Sequence, residues 1–145
     1  MPKETTGENK RLHLKMIEDT ITRMSSNSFL IKGWSLTAIG GVVTLYLANI
    51  KENWACNILY LSIFATILFW ISDAYYLCQE RRYRSLYDEV IKKDEADIDF
   101  SMKPNSDEKL LKCMFRPIFL RSYLLVLLAV LALIIVPKVL KILKS

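Results

Sequence analysis

The sequence predicts an all-α integral membrane protein: a transmembrane helical hairpin with a cytoplasmic coiled-coil extension, plus a third transmembrane helix. Three observations predict it. From Gly33 to Ile50 there is no charged residue, and from Asn53 to Ser72 there is again none, with only Lys51 and Glu52 standing close between the two runs. Each run approaches the roughly 20 apolar residues that cross a hydrocarbon core of about 30 Å. A third run, Tyr123 to Val136, is almost purely Leu, Val, Ile and Ala. Hydrophobic residues make up 52% of the 145, and their gathering into blocks argues against a soluble domain. The chain divides into residues 1–93 (amphipathic arm, two-span hairpin and its extension), 94–117 (acidic cytoplasmic loop with a short helix) and 118–145 (third span and basic tail).

The first nine residues are polar, and a helical pattern begins near Lys10. Leu14, Ile17, Ile21 and Met24 recur at three- and four-residue steps, with Lys15, Glu18, Asp19 and Arg23 between them. This is the stripe of an amphipathic helix. Neither Gly nor Pro separates it from the first apolar run, so one long helix is expected to enter the membrane. Ser25 to Ser28 mark where a break would fall, because Ser and Asn favour caps and turns. The first 28 residues are too polar for a secretory signal peptide, so the first span is expected to stay as an anchor.

The two runs mirror each other about Glu52. Residues whose numbers sum to about 104 then lie at equal depth, which sets Lys32 level with Ser72 and Asp73, and Trp34 level with Trp70. A charge inside a span is costly unless it is paired or reaches the interface. An ion pair between Lys32 and Asp73 near one membrane face is therefore expected. Trp34 and Trp70 read as half of an aromatic belt, with Trp54, Tyr46 and Tyr60 toward the other face. Past Asp73, Tyr83, Leu86, Tyr87, Val90 and Ile91 continue the periodicity. The mirror opposes Tyr83 to Ile21, Tyr87 to Ile17 and Val90 to Leu14, a short antiparallel coiled coil beneath the membrane.

Within the first span, Gly33, Thr37 and Gly41 form one row, with Gly40, Thr44 and Ala48 beside it. Small-residue rows let helix backbones approach closely in lipid. Thr37, Thr44, Ser62 and Thr66 form a polar stripe with two readings. One is interhelical packing with the hydroxyls bonded to carbonyls; the alternative is a lining for water or ions.

Asp94, Glu95, Asp97 and Asp99, followed by Pro104 and Asn105, mark a solvated acidic loop without the spacing of a calcium-binding EF-hand. Ser106 is expected to cap a short helix running through Phe115 and ended by Pro117. Arg121 and Lys138 flank the third run, where they can snorkel to the interfaces. That run offers nothing to line a pore and is expected on the outside of the hairpin. Lys and Arg crowd the N-terminal arm and the 81–116 segment, whereas the turn has only Lys51. By the positive-inside rule the chain is multi-pass in the cell inner membrane with a cytoplasmic N-terminus.

Catalytic equipment is missing from the sequence. There is no phosphate-binding glycine loop, no HExxH and no GxSxG. His13 is the only histidine and is expected in solvent; Cys56, Cys78 and Cys113 are scattered and read as free thiols. No metal, no cofactor and no enzymatic activity are expected. Arg81, Arg82 and Arg84 read as contacts to anionic lipid head groups rather than to nucleic acid.

The strings RMSSNSFLIKGW (23–34) and FWISDAYYLCQERRYRSLY (69–87) resemble a family of small, poorly characterised bacterial multispan membrane proteins. The resemblance covers about the first 90 residues and implies a prokaryotic membrane protein without assigning an activity. Size and layout are also similar to those of the short membrane effectors of bacterial anti-phage systems. The leading expectation is a homo-oligomer that disrupts or permeates the bilayer. The alternatives are a non-conducting scaffold or regulatory subunit holding a soluble cytoplasmic partner, and a small ion channel or transporter with Asp73 in its path.

Overall fold

The computed structural model describes residues 7–143. The described residues form no strand. They are organised as α1 (Glu8–Ala48), α2 (Ala55–Ile91), a 3-10 turn (Glu95–Asp97), α3 (Leu110–Met114) and α4 (Pro117–Leu143). Three helices are long and apolar enough to cross a membrane: α1, α2 and the Leu120–Leu140 part of α4. At 1.5 Å per residue α1 is about 60 Å long, roughly twice a hydrocarbon core.

Helices α1 and α2 run antiparallel along their length. At one end Ile39 and Tyr46 of α1 cluster with Ala55 and Leu59 of α2 and with Val130 and Ile134 of α4. At the other, Ile17 packs with Leu86 and Val90, and Leu14, Ile21, Tyr83 and Tyr87 surround them. Fully burying one such aliphatic side chain contributes about 1.5–3 kcal/mol. Outside these seams the bundle presents large apolar side chains, among them Phe29 at 77% exposure, Trp34 at 71% and Leu125 at 69%. An apolar coat of this kind suits lipid and not water.

Helix α1 is unbroken through Ser25–Ser28. The serine there that matters, Ser28, turns its hydroxyl onto Asp73 of α2 and so has no need to cap a helix. The N-terminus of α1 begins at Gly7, whose φ of 64° is a left-handed conformation open to glycine, and it has no cap from its own side chains. The cap comes from far along the chain. The Glu95 carboxylate accepts the N–H groups of Asn9 at 2.8 Å and Lys10 at 3.1 Å. Lys10 returns the arrangement, its ammonium donating to the carbonyls of Ile91 at 2.7 Å and Lys93 at 2.8 Å where α2 ends. An anion thus meets the positive end of one helix and a cation the negative end of the next.

In the acidic segment Asp94, Asp97 and Asp99 are exposed, as expected of a solvated loop, but Glu95 and the apolar residues anchor the segment to α1. Ile98 and Met102 pack onto the Ile17 cluster. Phe100, held at a φ of 53°, lies 5.5 Å from the His13 ring. His13 is fully buried rather than solvated. Its Nε2 stands 3.1 Å from the Ser101 carbonyl oxygen. A carbonyl only accepts, so Nε2 donates, while Nδ1 is buried with no hydrogen-bond partner among the described residues. The short helix also starts later than expected: its N-cap is Lys109, while Ser106 accepts from the Glu108 N–H at 3.4 Å. Pro117 opens α4, a position that suits a residue without an N–H. The helix then passes through Pro137 without ending.

Candidate functional site

The three long helices meet at Asp73. Its side chain is wholly buried, and Lys32 of α1 brings its ammonium to 2.8 Å from both carboxylate oxygens. Ser28, one turn before Lys32 on the same face, donates to Oδ1 and accepts from Lys32 at 2.8 Å. Tyr123 of α4 donates to Oδ2 at 3.1 Å. Trp70, three residues before Asp73, stacks on the Tyr123 ring at 6.1 Å and 12°. Its indole N–H donates to the Met114 carbonyl at 3.1 Å, and Phe115 meets it edge-on. One carboxylate thus fastens α1, α2 and α4 at a single level, and Trp70 ties in α3.

The chemistry of this node is that of a clamp. A buried charge is tolerated when paired and hydrogen-bonded. Here the ammonium, a serine hydroxyl and a phenol occupy the carboxylate's acceptor sites. General acid–base work needs a proton acceptor in reach of a substrate, and this carboxylate faces only its own donors.

The third helix is accordingly more than an outer apolar layer, because Tyr123 is part of the node. Sequence reasoning passed over Tyr123 and Ser28. The available signal was the position of Tyr123 at the polar edge of the third run, at the depth where Trp34 and Trp70 stand.

The polar stripe does not come together. Thr37 donates to the Gly33 carbonyl at 3.0 Å and Thr44 to Gly40 at 2.9 Å, both on the exposed side of α1. Thr66 donates to Ser62 at 2.7 Å inside the bundle. Each of these threonine hydroxyls is satisfied one turn back on its own helix, while Ser62 is fully buried. The stripe is therefore two separate sets and lines no path within one chain.

The small-residue rows also fall elsewhere than on α2. Gly33, Thr37, Gly40, Gly41, Thr44 and Ala48 are all exposed. A Cβ added at Gly33, Gly40 or Gly41 would meet nothing within 4 Å. At 3.6 residues per turn the six lie in one sector about 100° wide. Ser35, Ile39 and Tyr46, which are buried, lie on the other side.

The arginine cluster has partners within the protein. Arg82 donates through Nε and Nη2 to the Glu108 carbonyl at 3.2 and 2.8 Å. Arg81 Nε lies 3.4 Å from the Glu108 carboxylate, and Arg84 pairs with Glu80 at 2.8 Å. Charge density alone could not reveal this, because Glu108 lies 24 or more residues away. Two thiols converge on the same residue: Cys78 contacts the Glu108 carbonyl at 3.3 Å and Cys113 its carboxylate at 3.9 Å. Burial first, then the neighbouring Cys78 and Glu108, push the Cys113 thiol up to about 11. Because the unfolded chain ionises this thiol near its ordinary value, stability from it is present at neutral pH and falls as pH rises through 9 toward 11. Only the thiolate attacks a maleimide. Alkylation of Cys113 in the native chain at pH 8 should therefore be about a hundredfold slower than in the unfolded chain, by peptide mass spectrometry. Equal rates would place the thiol in solvent.

No metal-binding group of three or more His, Cys, Asp or Glu occurs among the described residues. No protein-family model, curated protein or solved structure matches this chain.

Proposed function

We propose that the chain is a three-span inner-membrane protein, N-terminus in the cytoplasm, that assembles with copies of itself and alters membrane permeability as an assembly. One observation carries the reading: the glycine, threonine and alanine face of α1 is exposed, a Cβ added at Gly33, Gly40 or Gly41 meets nothing within 4 Å, and the face lies opposite the buried Ser35, Ile39 and Tyr46. Small-residue faces drive helix association in lipid by letting backbones approach. The threonine and serine hydroxyls supply no path inside one chain, so any conduction belongs to the interface between copies, where Thr37 and Thr44 stand. The role is non-enzymatic, and the Lys32–Asp73 clamp supports it by holding the hairpin rigid. By analogy of size and layout alone, the reading extends to a short membrane effector of anti-phage defence.

Gly41→Leu tests this. Since a Cβ at 41 meets open space, the variant leaves the protomer intact. Induced expression of the natural chain should depolarise cells, and Gly41→Leu should abolish both assembly and depolarisation. A monomer in mild detergent with unchanged membrane potential would overturn the reading.

A second reading, a non-conducting scaffold, is favoured by a different observation. The cytoplasmic ends of α1 and α2 carry an ordered surface, in which Glu95 caps α1 and the 98–102 segment covers His13. Such a platform could hold a soluble partner. A monomer that retains this order would leave the scaffold in front.

A further inference from the structure

Helices α1 and α4 both pack against α2 and meet each other where the Tyr46 hydroxyl donates to the Leu133 carbonyl at 3.4 Å; between that contact and the Asp73 clamp they leave an open groove of about 480 Å³. Leu36 and Val43 form one wall, and Leu125, Ala129 and Leu133 the other. One end is closed by Lys32 and Tyr123, so the groove runs down from the Asp73 clamp. Arg121 stands one turn before Leu125 on the same helical row. It is exposed and has no acidic partner among the described residues. Lys32 is bound to Asp73, so Arg121 supplies the unbalanced charge at this end.

We propose that this groove holds an acyl chain of an anionic phospholipid, with its phosphate at Arg121 and Lys32. Two observations select this occupant over a second copy of the chain. From Lys32 to Val43 the wall is about 16 Å long, so the mean cross-section of the roughly 480 Å³ groove is about 30 Å², less than half that of a helix about 10 Å across. An acyl chain fits where a helix does not. The charge also agrees: Lys32 lines the end of the apolar trough and Arg121 stands one turn before Leu125 of its wall, which matches an amphiphile with a negative head. Basic pockets between helices on the cytoplasmic side select anionic head groups, each Lys or Arg near the surface adding to the preference. The proposal rests on insertion of the three helices, with the clamp at the cytoplasmic face, and not on self-assembly: Gly41 lies on the far side of α1.

Native mass spectrometry of the full chain in mild detergent, titrated with dioleoyl phosphatidylglycerol or dioleoyl phosphatidylcholine, tests it. The natural chain should retain phosphatidylglycerol roughly fivefold to tenfold better. Arg121→Gln should lower that preference to near unity while still binding lipid. Ala129→Phe should strip both lipids by filling the groove, whereas Leu128→Phe, outside it on the same helix, should behave as the natural chain. Gly41→Leu should keep the preference even where it abolishes assembly. Equal retention of the two lipids by the natural chain, or an undiminished preference in Arg121→Gln, would overturn the proposal. So would an Ala129→Phe variant that loses a dimer but keeps its lipid, since the occupant would then be a second copy.

Discussion

Lys32→Met should destabilise the chain in detergent by about 3–5 kcal/mol, the cost of breaking one side of a buried pair. The loss strands Asp73, which is wholly buried, with only two hydroxyls for company. Asp73→Leu should cost less in charge, because the Lys32 side chain is 41% exposed and can extend to the interface. It also removes the acceptor for Ser28 and Tyr123, so α4 should loosen in that variant and not only α1. The double variant should be more stable than Lys32→Met alone. Thermal unfolding followed by circular dichroism reads all three. A double variant no better folded than either single change would mean that the two charges do not act as a pair.

His13→Ala should cost about 2–4 kcal/mol by leaving a cavity under the 98–102 segment. The change also frees the Ser101 carbonyl and removes the ring beneath Phe100. A left-handed φ is uncommon for an aromatic residue and persists where its surroundings hold it. Phe100 should then relax, and amide exchange across 95–102 should rise toward the open-loop rate while the apolar halves of α1 and α2 keep theirs. Unchanged protection across that segment would show that the loop is held without His13.

These two sites also show what could be read from the sequence and what could not. Folding the chain about Glu52 brings Lys32 to Asp73 and sets Ile17 level with Tyr87, which packs on the cluster of Ile17, Leu86 and Val90, because a short turn between two rigid helices leaves one free parameter, the register. Fixed rise per residue then determines depth along the whole pair. No such constraint reaches Tyr123. The irregular segment between Ile91 and Leu110 joins it to α2, and a flexible connection carries no register. His13 fails for the same reason. Its cover, Phe100 and Ser101, comes from a stretch without periodicity, so a polar residue on a polar arm reads as solvated. The glycine rows were legible as small surface, but which neighbour they face is a property of the wheel. Two apolar faces on α1 compete for α2, and the bulkier one, with Ile39 and Tyr46, wins by burying more area.

The cap that Glu95 places on α1 has a consequence in time. Asn9 and Lys10 leave the ribosome 85 or more residues before the carboxylate that satisfies their N–H groups. At 5–20 residues per second this delay is roughly 4–17 s. Throughout that interval the start of α1 is an open helix terminus, and it closes only after the second long helix has returned alongside the first. A nascent chain that fails to bring α2 back keeps a frayed start to α1. Completion of the turnaround is thereby written into the accessibility of Asn9 and Lys10, where a quality-control protease would meet them.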